Sequence, residues 1–417
     1  MSEGQGTRSG ASWVLFATAI GGGAGYVLSA LAGPLLGGVA YASFAIFWSA
    51  LYLIVSAASG IQQEVSRSAH PVELDAATPV PRNRSYARRF ALVAAATVGV
   101  AVILTSPLWL SRALGPEWVS FVWPLAFGVA SYVIVTVYAG VLYGLRLWRP
   151  IAGLIIMDGI LRLVLVIGTM LVTDDLVLIA WAVVIPFLAA PLLSWPFTRS
   201  SVVARYDLDA APRRLAANSA KTVVGAAATG VLVSGFPLIL GATTSGAQAA
   251  ELAAIVFAVT LTRAPIVVVV IALQSYLIVR FKTHRDAAGR DAARLILVIA
   301  AAAAVISLVL LAWGESVFRL VFGEEFALNG ALLAGIVGSA AAIGALCVTG
   351  PLVLSRSRHA LFTAGWVVAA VVMVVALMLP LPLEVRAVVG LWAGPCAGLV
   401  VHLSGLRAHG RRAVMTP

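Results

Sequence analysis

The sequence predicts an all-α polytopic membrane protein of about twelve transmembrane helices, in two six-helix lobes related by a pseudo-twofold axis along the membrane normal. Three observations lead there. Of the 417 residues 61% are hydrophobic and only 11% are charged, and the mean hydropathy of +1.01 lies far from the balance of a soluble domain. The apolar residues fall into blocks long enough to cross a hydrocarbon core of about 30 Å, which takes roughly 20 residues of helix. Short loop motifs also recur at an offset close to half the chain, as an internal duplication requires.

A spanning backbone must satisfy its own hydrogen bonds, so each block is read as a helix. In the first half they cover 13–31, 41–61, 90–110, 119–145, 153–172 and 176–193. In the second half they cover 222–240, 252–279, 295–313, 331–348, 360–379 and 388–406. Only the turn Thr173-Asp174-Asp175 separates the fifth from the sixth. Lys and Arg collect in cytoplasmic loops. The even-numbered connections and both termini are rich in arginine, while the opposite connections hold only Arg112, Arg319 and Arg386. Both termini are therefore expected in the cytoplasm of a bacterial cell, with the chain in the inner membrane. The opening MSEGQGTRSG lacks a cleavable signal pattern, so the first span is expected to be retained.

The net charge of +11 is spread over many short loops, which suits anionic membrane lipids and calls for no nucleic acid. Cys347 and Cys396 lie within spans and read as small packing residues. No G-x-x-x-x-G-K-[ST] stretch is present, so no P-loop hydrolysis of ATP is expected. The first external connection has no carboxylate and all external loops are short, which argues against a membrane glycosyltransferase or a glycan polymerase. Transport without chemistry remains.

The duplication shows in the loops. Arg112 is followed by Gly115-Pro116-Glu117-Trp118 after the third span, and Arg319 by Gly323-Glu324-Glu325-Phe326 after the ninth. At nearly the same offset, Gly140-x-Leu142-x-x-x-Arg146 ends the fourth span and Gly350-x-Leu352-x-x-x-Arg356 ends the tenth. An even number of spans per half keeps both halves in one orientation, hence the axis along the membrane normal. The domains are then an N-terminal lobe, 1–196, a polar linker, 197–221, and a C-terminal lobe with a short basic tail, 222–417.

These turns, together with SGIQQEVSR at the end of the second span and Arg263-Ala264-Pro265 with Gln274 and Arg280 in the eighth, resemble the multidrug/oligosaccharidyl-lipid/polysaccharide flippase superfamily. The closer similarity is to its polysaccharide-exporting branch. The resemblance covers nearly the whole chain and implies alternating access around a central cavity lined by the first, second, seventh and eighth spans. It also implies a monomer.

Ionisable groups inside a bilayer cost about 2.5–3.5 kcal/mol on insertion scales, so each demands a partner or a cavity. Asp158 and Arg162 are four residues apart on one face of the fifth span. They form either a self-neutralising packing pair, or a coupling site at which Asp158 exchanges a proton or cation and Arg162 senses it. Arg263 has no carboxylate at pairing distance on its own helix and shares a face with Gln274. It either pairs with Asp158 or serves as a cavity cation for an anionic headgroup.

Ser49, Ser56, Gln63 and Arg67 recur on one face of the second span. This stripe can glue helices together or meet substrate. Gln62, Gln63, Glu64 and Arg67, with Arg280, read as a cytoplasmic gate in which Glu64 holds Arg67. Tyr132, Thr136 and Tyr143 share a face and could stack on sugar. Gly21-x-x-x-Gly25 permits a close helix contact, and His402 reads as a hydrogen-bonded structural residue.

The expected function is movement of a polyprenyl-diphosphate-linked oligosaccharide from the inner to the outer leaflet. Arg263 and Arg162 would meet the diphosphate, and Gln274, Gln63, Ser56 and Tyr132 the sugars. No cofactor is implied. Coupling could come from the membrane potential, protons or sodium, and glycan-synthesis enzymes are possible partners. The alternatives are a cation-coupled multidrug exporter and a non-transporting scaffold.

Overall fold

The computed structural model describes residues 3–72, 84–203, 206–209, 211–245 and 248–415, with side chains described for all of these except 3–11, 84–85, 263–276, 279 and 408–415. Among the described residues the elements run α1 (Glu3–Leu36), α2 (Gly38–Ser68), β1 (Ala69–Pro71), α3 (Arg84–Leu114), α4 (Trp118–Gly144), α5 (Trp148–Met170) and α6 (Leu176–Val202). They continue with β2 (Tyr206–Leu208), α7 (Pro212–Val233), α8 (Phe236–Ala242), α9 (Ala249–Thr283), α10 (Arg285–Phe322), α11 (Gly330–Ser355), α12 (His359–Leu377) and α13 (Leu383–Met415). Leaving aside the seven-residue α8, these are the twelve expected helices.

Nine described helical stretches are long and apolar enough to span a membrane, or ten if the broken pair α7–α8 is one span. One of these stretches, Tyr86–Gly144, holds both α3 and α4, divided at the Gly115 turn, and α9 contributes the shorter apolar stretch Ala249–Thr262. Leu297, Val298, Leu308, Leu311 and Leu320 of α10 are exposed, as apolar side chains are where lipid replaces water.

The chain forms two compact units, Met1–Leu31 with Ile46–Gly230, and Ala32–Ala45 with Val231–Pro417. In the first, α4 packs against α3 and α6, and α5 against α6. Its core includes Val65, Val133, Val137, Leu142, Ile151 and Ala190. In the second, α11 is the central helix, buried along most of its length against α9, α10 and α13. The polar segment 197–221 is largely built into elements of the first unit: α6 runs on to Val202, α7 begins at Pro212, and β2 pairs antiparallel with β1.

The seventh span was expected unbroken over 222–240, and the structure corrects this. The helix stops at Val233 and restarts at Phe236 behind Gly235, with a proline in the first turn of the new helix. Pro237 lacks the N–H that would continue the ladder. The separation of the fifth and sixth spans has a local cause as well. Asp175 is the N-cap of α6, its carboxylate accepting from the N–H groups of Val177 at 2.8 Å and Leu178 at 3.3 Å. Asp175→Ala is expected to cost about 1 kcal/mol of stability, read from thermal unfolding in detergent.

The duplicated motifs have duplicated backbones. Gly115 (φ +63°) and Gly323 (φ +90°) both take a left-handed conformation that favours glycine, each at the start of one 3₁₀ turn. Helices α4 and α11 both end in a left-handed residue that is not glycine, Arg146 (φ +56°) and Ser357 (φ +58°). In each, the following N–H closes back onto the helix, Leu147 to Leu142 O at 2.9 Å and Arg358 to Val353 O at 3.3 Å. That is the Schellman closure of a helix end. The match slips by one residue, since Arg356 is the C-cap of α11 whereas Arg146 lies one position beyond that of α4.

Within the second unit the Gly-x-Glu-aromatic turn has a definite role. Glu325 Oε2 accepts the backbone N–H of Gly38 at 2.6 Å, which places an anion at the N-terminus of α2. Phe326 packs edge-on to Tyr41 at 5.9 Å and against Phe257 at 4.4 Å. In the first unit the corresponding turn buries none of its residues.

Candidate functional site

The first unit encloses a buried cation. Arg162 of α5 is 3% exposed. Its Nη2 donates to Asp158 Oδ1 at 2.5 Å, one helical turn earlier, and its Nη1 donates to the carbonyl of Val183 in α6 at 2.9 Å. The ring of Phe187, one turn along α6 from Val183, lies 4.1 Å from the guanidinium carbon, and that of Tyr52 in α2 lies 5.7 Å away. Tyr132 of α4 packs edge-on to Phe187 at 4.9 Å, and Trp48 stacks on Tyr52 at 4.6 Å. Helices α2, α5 and α6 thus meet at one guanidinium, with α4 packed behind Phe187.

The carbonyl, the carboxylate and the ring faces together replace the water that burial removed. Asp158 is the accessible member, with its side chain 31% exposed against 4% for that of Arg162. Beside it, Gly159 meets α1, since a Cβ there would lie 2.9 Å from the Cα of Gly21. Gly21 of the Gly-x-x-x-Gly pair therefore makes a close helix contact, and Gly25 has nothing nearby.

A second cluster closes α2 onto α7. Glu64, 4% exposed, accepts from Arg67 Nε at 2.9 Å and Nη2 at 2.6 Å. Asn218 Nδ2 of α7 donates to the same carboxylate at 2.9 Å, and Thr222 Oγ1 donates to Gly60 O at 2.7 Å. Twelve residues of helix separate Tyr52 from Glu64, about 18 Å along α2.

The structure brings Arg162, Asp158 and Tyr132 together and joins Glu64 to Arg67. Ser56 packs against α7, since a Cβ on Gly230 would stand 2.7 Å from its own Cβ. Gln63 is exposed and Gln62 half-buried. Arg280 pairs with Asp291 of α10, Nε at 3.0 Å and Nη2 at 2.9 Å. The side chains of Arg263 and Gln274 lie outside the described residues. His402 is buried between Thr349 Oγ1 at 3.0 Å and Phe362 O at 3.3 Å, the structural role expected of it.

Sequence reasoning missed Tyr52, Val183 and Phe187 around Arg162, and Asn218 and Thr222 beside Glu64. Only Trp48 and Tyr52, four apart on the face of α2 that carries Ser49 and Ser56, offered a signal. Arg386, read with an external connection, opens α13 in its first turn and is 8% exposed. There it donates to Thr243 O at 2.8 Å and Thr244 Oγ1 at 2.7 Å.

No family model matches the chain. It is 32% identical over 385 residues to Uncharacterized protein Rv3630 of Mycobacterium tuberculosis, covering 92% of this chain and 88% of that one. It is also 32% identical over 394 residues to Uncharacterized protein Rv1510 of the same organism, covering 94% and 90%. Among solved structures it is similar to an inward-facing multidrug resistance MATE family transporter of the MOP superfamily, with a TM-score of 0.65 at 16% identity over 96% of each chain. The eukaryotic MATE transporter AtDTX14 aligns with a TM-score of 0.60 at 11% identity, over 99% of this chain and 96% of that one. A MOP superfamily transporter from Pyrococcus furiosus, for which reverse polarity of the binding pocket suggests a different function, aligns at 0.59 with 15% identity, over 97% and 96%. The fold is that of the MATE transporters.

Proposed function

We propose that this chain, which belongs to the mycobacterial family of proteins Rv3630 and Rv1510, is an alternating-access exporter of a polyprenyl-diphosphate-linked oligosaccharide. It would act in the bacterial cytoplasmic membrane with both termini inside. The observation that carries the reading is a buried arginine whose one carboxylate partner among the described residues is the part-exposed Asp158. A guanidinium matches phosphate oxygens bidentately. Protonating Asp158 would leave Arg162 uncompensated in a low-dielectric site, and an arriving phosphate would compensate it in turn. Proton uptake and substrate binding are then linked through one cation.

Arg263 on α9 is proposed as the further cavity charge, with Gln274, Gln63, Ser56 and Tyr132 towards the sugars. Glu64, Arg67, Gln62 and Arg280 are proposed at the cytoplasmic gate. A headgroup of charge about −2 leaving an interior-negative cell at about 100 mV gains roughly 4.6 kcal/mol, so no nucleotide is needed. Glycan-synthesis enzymes are the proposed partners and a monomer the proposed state.

A multidrug exporter is the second reading, favoured by the multidrug MATE fold and by the exposed edge of Asp158. The pocket of reverse polarity described for the Pyrococcus furiosus transporter supports assigning substrate charge by the site and not by the fold.

The test is the leaflet distribution of lipid-linked precursor in a deletion strain rescued with wild type, Arg263→Ala or Asp158→Asn at matched protein level. Inner-leaflet precursor is expected to build up and to be cleared only by wild type. No build-up in a strain without a redundant flippase, together with efflux of a cationic dye from wild-type vesicles, would replace the glycolipid reading with the drug one.

A further inference from the structure

We infer that the second unit carries a separate binding site for a phosphate-bearing lipid headgroup, at the turn where α9 passes into α10. A cavity of about 350 Å³ opens there, lined by Phe281, Arg285, Ala288, Ser355, Arg356 and Ser357. That volume is near the lower end of ligand-sized pockets, about 300–1,000 Å³. None of its six lining residues is acidic.

The charge is unspent. Among the described residues neither Arg285 nor Arg356 has a carboxylate partner, and the nearby Asp291 is engaged by Arg280. Two guanidinium groups sharing a cavity repel unless an anion lies between them, and their planar forks fit phosphate oxygens. Arg285 opens α10, the 38-residue helix, whose N-cap His284 makes no side-chain cap. The first-turn N–H groups there add positive potential to the same opening, and the exposed Asp286 of that turn, which does not line the cavity, offsets part of it.

The hydroxyls divide the work. Ser355 Oγ already donates to Leu352 O at 2.8 Å, so towards the cavity it can only accept, and it suits a guanidinium N–H. Ser357 is exposed and no such bond occupies its hydroxyl among the described residues, which leaves it to donate to phosphate. Phe281 and Ala288 are both buried and give the cavity an apolar floor. Leu297 and Val298, about three turns further along α10, expose apolar side chains. A head held at the arginines could lay an acyl or prenyl chain along that helix. The occupant inferred here is the lipid, and inorganic phosphate competing as well as a lipid headgroup in the titration below would make it a soluble phosphate instead.

Two lipids share this chemistry, an anionic phospholipid of the bilayer and the diphosphate of a polyprenyl carrier. Native mass spectrometry of the full chain, titrated with phosphatidylglycerol, undecaprenyl diphosphate and phosphatidylcholine, with and without inorganic phosphate as competitor, separates them. The variant Arg285→Gln/Arg356→Gln is expected to weaken anionic lipid binding by about tenfold, with Arg285→Lys/Arg356→Lys intermediate and Arg290→Gln within about twofold of wild type. A larger loss for undecaprenyl diphosphate than for phosphatidylglycerol assigns the site to the carrier. An equal or smaller loss assigns it to the bilayer lipid.

Unchanged binding in the double variant would overturn the inference. So would an equal loss in Arg290→Gln, which would mean general surface charge. Should the double glutamine variant fail to fold, Arg356→Gln alone supplies the comparison. Binding is read without transport, so failure of the flippase reading would leave this result intact.

Discussion

Asp158→Ala is expected to destabilise the protein by about 3–5 kcal/mol, the usual cost of stripping one partner from a buried ion pair. The arginine left behind is 3% exposed and held by the Val183 carbonyl and the rings of Phe187 and Tyr52. Loss of the carboxylate leaves its Nη2 edge without a partner among the described residues. Removing both charges, as Asp158→Leu/Arg162→Met, is expected to recover most of that stability, because a buried pair replaced by apolar side chains of similar volume is often neutral. Transport should be lost in the single and the double variant alike. Thermal unfolding in detergent and a translocation assay on the same preparations give both readings. A double variant that transports normally would reduce the pair to packing and remove the proposed link between proton and substrate.

The fold was legible to the extent that its causes are local. Helix count followed from apolar length, and the division between α5 and α6 from the turn Thr173-Asp174-Asp175, whose cap the structure shows to be local, Asp175 accepting an N–H two residues on. The pairs Asp158–Arg162 and Glu64–Arg67 were legible because four and three residues bring side chains together on any helix. What surrounds those pairs was not. Phe187 lies 25 residues from Arg162, and Asn218 lies 154 from Glu64. Nothing in a span of valines, alanines and leucines says which face meets which neighbour. The duplicated Glu325 illustrates the limit: its motif was visible, but its task, capping α2 at Gly38, depends on a contact across 287 residues. The contact of Arg386 was hidden for the same reason, since the carbonyl it holds belongs to Thr243.

The seam between α2 and α7 is also expected to tolerate little change. A Cβ at Gly60 would stand 2.5 Å from Val223 N and 2.6 Å from Thr222 C. Both are backbone atoms and cannot rotate aside, so Gly60→Ala must push the helices apart. Overpacking of this kind costs about 1–3 kcal/mol. The displacement also breaks the bond from Thr222 to Gly60 O and draws Asn218 away from Glu64. Asn218→Ala removes one bond to a charged group, worth about 1.5–3 kcal/mol, and leaves the helices in contact. Thermal unfolding should therefore fall in both variants. Transport separates them: if the seam must close in each cycle, Gly60→Ala abolishes translocation, while Asn218→Ala slows it and keeps the helices able to meet. Normal transport by Gly60→Ala at matched protein level would mean that close apposition of α2 and α7 is not required by the cycle, and the gate proposed at Glu64 and Arg67 would fall with it.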